Sequence, residues 1–113
     1  MDFKVTKGLK KDSDFRKVYK YGKSVANKYL VMYILNNKLE YSRLGISVSK
    51  KVGNATVRNK VKRRIREAYR NLIDENVKSG YDIVFIARVS SKDVDYKAIE
   101  KSVLFLSKKS NII

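Results

Sequence analysis

The chain has 113 residues, and its 27 lysine and arginine residues against 11 aspartate and glutamate residues give a formal net charge of +16. This length fits one domain spanning residues 1–113, and a hydrophobic content of 43% indicates a packed core rather than a disordered basic tail. The absence of cysteine and histidine excludes disulfides, thiolate zinc sites and the usual general base near neutral pH. So large a positive charge predicts a polyanionic partner.

The first predicted helix follows a basic, irregular segment at residues 1–11. We expect the helix to begin at Asp12 or Ser13, and Gly22 is a natural stop. Its apolar face, at helical spacing, consists of Phe15, Val18 and Tyr19.

Two strands are expected next, because apolar residues alternate over Tyr29–Leu35 and again over Leu44–Ser49. The polar residues between them indicate a turn, so the two strands are predicted to form a hairpin. One face of the second strand is aliphatic, whereas the other is nearly bare. The bare face consists of Gly45, Ser47 and Ser49.

A long basic helix is predicted after a cationic turn at Lys50–Gly53, with Asn54 or Thr56 as its cap and its end near Asn76. Its buried stripe is expected to contain Val57, Val61, Ile65, Ala68 and Leu72. Beside this stripe, basic residues recur one helical turn apart at Arg58, Lys62 and Arg66.

The remaining pattern predicts one more strand and one more helix. The continuous apolar run Ile83–Ala87 is typical of a central strand covered on both faces. Residues 90–93 are expected to cap a final helix, whose apolar positions are Tyr96, Ile99, Val103, Leu104 and Leu106. The order of elements favours an α+β fold, a single-domain α/β sandwich with helices against a small, mostly antiparallel sheet.

The basic helix carries the strongest functional signal in the chain. The 21 residues of Lys50–Arg70 contain nine basic residues and one acidic residue, which leaves half of the net charge in this stretch. Most charge runs are solvated surfaces, but such surfaces normally mix both signs, and like charges one turn apart repel. Arginine is also the better fork for phosphate. The pattern therefore predicts nucleic-acid binding.

Aromatic residues suggest a second binding element. Phe15, Tyr19 and Tyr33 can edge a shallow trough between the first helix and the bare strand face, where unpaired bases would stack. The alternative is that all three rings belong to the core.

The acidic residues favour capping over catalysis. Asp12 with Asp14 and Asp93 with Asp95 each precede a helical pattern, where caps and first-turn acids belong, so neither pair is predicted to be a metal site. The amino-terminal segment has no apolar signal-peptide core, and no apolar run approaches the roughly 18 residues of a membrane-spanning helix. These patterns predict a cytoplasmic protein with no membrane partner.

These motifs resemble the protein subunit of bacterial ribonuclease P over essentially the whole chain. Four segments carry the resemblance: Phe15–Tyr19 with Gly22, Ser24–Asn27, Gly45–Ala55, and Arg58–Arg63 with Arg66. The resemblance implies a ribonucleoprotein endoribonuclease that removes the 5′ leader of precursor tRNA. Catalysis and Mg²⁺ would belong to the RNA, so the protein alone would bind no cofactor and be inactive. It also implies a left-handed crossover at the basic helix and a short fourth strand, expected at Ser49–Val52.

The resemblance also implies two sets of site residues. The residues expected to face the catalytic RNA are Arg58, Asn59, Lys60, Lys62, Arg63 and Arg66. The residues expected to bind the leader are Phe15, Tyr19, Tyr33, Ser47, Ser49 and Lys51. Lys60 stands where the motif has a second arginine, which keeps the charge but loses the bidentate fork.

Three other classes of protein remain as alternatives. A ribosomal or other RNA-scaffold protein fits the size and charge but would more often carry long basic extensions. A DNA-binding helix-turn-helix module conflicts with three predicted strands, so no DNA partner is expected. A stand-alone nuclease conflicts with the missing histidine and the scattered acids.

Overall fold

The computed structural model describes residues 3–113. Within them the sheet contains the strands β1 (Lys7–Gly8), β2 (Lys23–Ala26), β3 (Leu30–Asn36), β4 (Arg43–Ser47) and β5 (Tyr81–Ala87). The α-helices are α1 (Asp12–Tyr21), α2 (Ala55–Leu72) and α3 (Tyr96–Lys109). Short 3-10 turns lie at Asp74–Asn76 and Val89–Ser91. The strand order is β1-β4-β5-β3-β2, and the predicted α+β class is confirmed.

Strand β5 occupies the centre of the sheet, as its apolar run predicts. It pairs antiparallel with β3 and parallel with β4, so the predicted hairpin between β3 and β4 is wrong. The chain leaving β3 turns towards β5 instead: the backbone N–H of Asn37 donates to the carbonyl of Gly80 at 2.8 Å, and its side chain donates to Asp82 at 2.8 Å. The most apolar strand thereby gains neighbours on both sides.

The sheet is mixed, with more antiparallel than parallel residue pairs. The pairs β1–β4 and β4–β5 are parallel, whereas β2–β3 and β3–β5 are antiparallel. Helix α2 connects the parallel neighbours β4 and β5; the left hand that the resemblance implies for this crossover stays a prediction.

The additional strands lie at the two edges of the sheet. The expectation of a strand at Ser49–Val52 is wrong, because this segment is a turn closed by a hydrogen bond from Val52 N–H to the Ser49 carbonyl at 3.1 Å. Strands β1 and β2 have two and four residues, and most of their side chains are exposed. Neither shows the apolar alternation on which strand prediction depends.

Helices cover both faces of the sheet. Helices α2 and α3 pack on one face, against Leu30 and Met32 of β3 and Phe85 of β5. Helix α1 covers the other face, where Val18 packs with Leu9 and Val84. The alternation predicted for β3 is thus confirmed, and the buried stripe of α2 holds with Tyr69 as an additional, fully buried member.

The helix ends follow capping chemistry. The Asn54 side chain accepts the Val57 N–H at 3.0 Å, which confirms one of the two predicted caps of α2. Helix α2 ends at Leu72 rather than near Asn76, because the chain tightens there into a 3-10 turn. The cap of α3 is Asp95, not residues 90–93, and it accepts the Ala98 N–H at 2.9 Å.

The amino-terminal segment is held against α2. The buried carboxylate of Asp74 accepts the backbone N–H of Thr6 at 3.0 Å and that of Val5 at 3.3 Å. The ring of Phe3 meets Tyr69 edge-on, with centroids 5.2 Å apart. These contacts therefore tie residues 3–6 to the end of α2 and the turn that follows it. Among the described residues, none of the helices has the length and hydrophobicity needed to cross a membrane.

Candidate nucleic-acid interface

The ring of Phe15 rests on the bare face of β4. A Cβ atom on Gly45 would lie 2.5 Å from Cζ of Phe15, so only glycine leaves room for the ring at this position. The small residues predicted on this face therefore allow α1 to approach the strand closely. This approach sets the depth of the trough between α1 and the sheet.

A row of three rings follows α1 across the sheet. The centroids of Phe15 and Tyr19 are 6.3 Å apart, and those of Tyr19 and Tyr33 are 5.3 Å apart in an edge-to-face arrangement. Phe15 and Tyr33 are half-buried and pack against the smaller core, whereas Tyr19 is 37% exposed. Of the three, Tyr19 offers the most accessible surface to a ligand.

The phenol of Tyr19 remains a neutral hydrogen-bonding group. Burial raises the pKa of Tyr19 above its ordinary value of 10.0, and a hydrogen bond with Ser47 opposes this shift. The hydroxyl therefore stays protonated at neutral pH and adds no negative charge beside an incoming phosphate.

Two adjoining hollows form a groove between α1, β4 and α2, which we term the α1–β4 groove. The first, of about 410 Å³, is lined by Asp12, Phe15, Arg16, Tyr19, Ile46, Ser47, Val48 and Lys62. The second, of about 360 Å³, is lined by Phe3, Gly8, Leu9, Phe15, Leu44, Gly45, Ile46, Lys62 and Arg66. Phe15, Ile46 and Lys62 belong to both hollows. Aromatic, small and cationic side chains thus share one continuous surface.

The groove follows a free edge of the sheet. Strand β1 pairs only with Arg43 and Leu44, because the chain leaves the sheet after Gly8 to enter α1. From Gly45 onward, β4 has no strand on this side within residues 3–113. The edge strand, α1 and α2 therefore leave an open channel.

The basic residues of α2 fall into two groups. Arg64 donates to the carbonyl of Val94, and Arg70 lies 3.9 Å from Glu67, so these two have partners within the protein. The other basic residues of the helix pair with no carboxylate within residues 3–113: Arg58, Lys60, Lys62, Arg63 and Arg66. Nε of Arg58 is also buried without a hydrogen-bond partner among the described residues. These cations remain available to an external anion.

The structure brings only some of the predicted residues together. Phe15, Tyr19 and Ser47 line the α1–β4 groove, and Tyr33 joins them through its contact with Tyr19. Ser49 and Lys51 are exposed on the turn after β4 and do not line the groove.

The basic helix and the groove are less separate than the sequence suggested. Lys62 lines both hollows and Arg66 lines one, although both were assigned to the catalytic-RNA set. Sequence reasoning also missed Asp12 and Arg16 as lining residues. Helical spacing could have indicated both, because Asp12 precedes Phe15 by three residues and Arg16 precedes Tyr19 by three, and residues three or four apart share a helix face.

Comparison with known proteins agrees with this architecture. The family model described as Ribonuclease P matches residues 3–111. The chain is 70% identical over 112 residues to the ribonuclease P protein component of Clostridioides difficile strain 630, covering 99% of this chain and 98% of that relative.

Solved structures show the same fold. The ribonuclease P protein of Staphylococcus aureus superposes with a TM-score of 0.85 at 44% identity, covering 92% of this chain and 94% of that one. The protein from Thermotoga maritima gives a TM-score of 0.81 at 38% identity, covering 91% and 96%. With the family model spanning nearly the whole described chain, the protein belongs to the ribonuclease P protein family.

Proposed function

We propose that this chain is the RNA-binding subunit of ribonuclease P, which assists a catalytic RNA in removing the 5′ leader from precursor tRNA. The observation that carries the proposal is the α1–β4 groove, where the exposed ring of Tyr19 and the ammonium of Lys62, which forms no ion pair within residues 3–113, line the same hollow. A single-stranded nucleic acid presents bases and phosphates together, and such a surface binds both.

The groove is the proposed site for the leader. An unpaired base stacks on the exposed ring of Tyr19, and the neighbouring rings of Phe15 and Tyr33 hold this ring in place. The hydroxyl of Ser47 lies beside this ring and offers a hydrogen bond, while Lys62 and Arg16 neutralise backbone phosphates. Ser49 and Lys51 lie outside the hollow, so their proposed part is to meet the leader after it leaves the groove.

The outward side of α2 is the proposed contact with the catalytic RNA. Asn59, Lys60 and Arg63 are exposed, and Arg58 beside them is half-buried. Lys62 and Arg66 lie between this side and the groove, so we place them at the junction of leader and catalytic RNA. The protein binds no cofactor in this proposal, and the Mg²⁺ ions belong to the RNA. The assembled particle works in the cytoplasm with no membrane or DNA partner.

The leader contact is tested with Tyr19→Ala in the assembled holoenzyme. Affinity for precursor tRNA should fall by about 1–3 kcal/mol if a base stacks on the ring. Affinity for mature tRNA, and for precursor tRNA with a one-nucleotide leader, should not change. The matched control is Tyr21→Ala, because Tyr21 lies on the same helix, is 64% exposed and does not line the groove. An equal loss for precursor and mature tRNA would refute leader binding at Tyr19.

The catalytic role of the RNA is tested by leaving it out. Purified protein with Mg²⁺ should not cleave precursor tRNA, because no cluster of three or more acidic side chains able to hold a metal ion lies within residues 3–113. Cleavage by RNA-free protein that one carboxylate substitution abolishes would instead support a protein nuclease.

A further inference from the structure

A second basic surface lies at the other edge of the sheet, away from the α1–β4 groove. Exposed residues recur at every fourth position along α3, at Lys97, Lys101, Phe105 and Lys109. We term this row the α3 stripe. Lys109 lies twelve residues after Lys97, so the α3 stripe is about 18 Å long at the usual helical rise.

The α3 stripe borders two hollows beside β2. The larger hollow, of about 580 Å³, is lined on the α3 side by Lys97, Lys101 and Phe105 and on the opposite side by Lys28 and Tyr29. The smaller one, of about 310 Å³, includes Lys23, Ser24 and Lys109. Lysines therefore line both hollows along the whole stripe.

The charge of this surface is not neutralised by the protein. None of Lys28, Lys97, Lys101 or Lys109 forms an ion pair within residues 3–113. Asp95 is the one carboxylate among the residues lining the hollows, and it is engaged in capping α3. A cluster of unpaired lysines repels itself and favours binding of an anion.

The aromatic residues at this surface are also exposed to a ligand. Phe105 is 53% exposed, so its ring is accessible to a ligand. Its centroid lies 5.7 Å from Nζ of Lys109, and the ring of Tyr29 lies 5.6 Å from Nζ of Lys28. Each ring with its ammonium group suits a base stacked beside its own phosphate.

The loop that presents Lys28 and Tyr29 is held rigidly. The Asn27 side chain donates to Ser102 of α3 at 2.7 Å and accepts the backbone N–H groups of Tyr29 and Leu30 at 3.1 and 3.0 Å. The guanidinium of Arg88 donates to the Asn27 carbonyl at 3.0 Å. Because the loop is already ordered, a ligand would lose little conformational entropy on binding there.

We propose that the α3 stripe and the Asn27–Tyr29 loop form a second RNA-binding surface, which takes a single-stranded segment with an unpaired base on Phe105 or Tyr29. The inference rests on the proposed function, since it takes the partner to be RNA. Strands β5 and β3 lie between β4 and the edge strand β2, so the free edge of β4 and β2 are about 14 Å apart at the usual strand spacing. The two surfaces are therefore distinct sites, and the RNA at the α3 stripe comes from the catalytic RNA or from precursor tRNA.

The charge contribution is tested with Lys97→Gln/Lys101→Gln in the assembled holoenzyme. The matched control is Lys38→Gln/Lys78→Gln, which removes the same charge from exposed positions that line neither hollow. The affinity for RNA should fall about tenfold for the test pair, and the slope of log K against log[salt] for RNA binding should flatten by about 1.4. The control should change neither quantity.

The stacking contribution is tested with Phe105→Ala against the control Leu39→Ala, another exposed apolar side chain. We expect at least about fivefold weaker binding for the test variant only. Thermal melts of all variants should match the wild type, because the substituted side chains are exposed. A loss in protein binding to the catalytic RNA identifies that RNA as the ligand, whereas a loss only in holoenzyme binding to precursor tRNA identifies the substrate.

Tyr19→Ala, measured in parallel, separates the two proposals. If it weakens leader binding while the α3-stripe variants behave as their controls, the second surface is refuted and the proposed function stands. If neither Tyr19→Ala nor the stripe variants affect any RNA, both proposals fail.

Discussion

The Phe15 ring occupies the space that a side chain on Gly45 would need, since a Cβ there would lie 2.5 Å from Cζ and 2.6 Å from Cε1 of the ring. Helix α1 can therefore pack closely against β4, because Gly45 has no side chain. This contact places Phe15 in both hollows of the α1–β4 groove.

Gly45→Ala should therefore displace α1 or the Phe15 ring. We expect a loss of about 1–3 kcal/mol in the free energy of unfolding, as for other overpacked cores, and weaker leader binding. Gly8→Ala is the matched control, because a Cβ there would meet its nearest side-chain atom at 3.5 Å. Combining Gly45→Ala with Phe15→Leu should recover part of the stability in urea denaturation; purely additive losses would contradict the contact.

Asp74→Asn should destabilise the protein by about 1–3 kcal/mol, because it replaces Oδ2, which accepts the backbone N–H of Lys4, with an amide nitrogen that cannot accept it, while Oδ1 can still accept from Thr6 and Val5. Glu75→Gln changes the charge equally but breaks only an exposed ion pair with Lys4, so it should change the free energy of unfolding much less. Urea denaturation of both variants measures the difference. Equal effects would show that charge, not the buried hydrogen bonds, matters here.

Because of Tyr69, the free energy of unfolding should fall at alkaline pH. Burial raises the pKa of Tyr69 well above its ordinary value of 10.0, although the hydrogen bond with Thr6 opposes the shift. Above pH 10 the folded state therefore holds a proton that the unfolded state releases, so the free energy of unfolding falls as pH rises from about 10 toward the folded-state pKa.

Tyr69→Phe should remove this part of the alkaline dependence while costing about 0.5–1.5 kcal/mol at neutral pH for the lost hydrogen bond. Thermal melts between pH 8 and pH 11 would measure it. A variant with the wild-type pH profile would assign the alkaline loss to other groups.

Lys62→Gln should reduce the salt dependence of single-strand binding. One phosphate contact contributes about 0.7 to the slope of log K against log[salt], so the slope should flatten by about that amount for a leader oligonucleotide. Lys38→Gln removes the same charge at an exposed position outside the groove and should leave the slope unchanged. Fluorescence titrations at several salt concentrations measure both slopes. Equal slopes in the two variants would show that Lys62 does not contact the leader.

Local patterns predicted the large elements of this fold well. The central position of β5 follows from its continuous apolar run, and the start of α2 follows from the Asn54 cap. The edge strands β1 and β2 were not predicted, because they are short and exposed and form only by pairing with a neighbouring strand. Pairing with a neighbouring strand, near in the chain for β2 and distant for β1, leaves no mark in the periodicity of the short strand itself.

The candidate site divides in the same way. Helical spacing pointed to the cations of α2 and to Phe15 and Tyr19 on α1, and the bare face of β4 was visible from its small residues. Local spacing could not show that Lys62 belongs to the groove while Ser49 and Lys51 do not line it.

The sequence by itself determined the charge, the helical and strand periodicities and the motifs of the family, since each depends on residues close together in the chain. Only the tertiary structure decided that β5 separates β3 from β4, that Asp74 holds the amino-terminal segment, and that α1 and α2 line one groove along the free edge of β4. These relationships join residues far apart in the chain, and burial of the shared core selects among the pairings that local pattern leaves open.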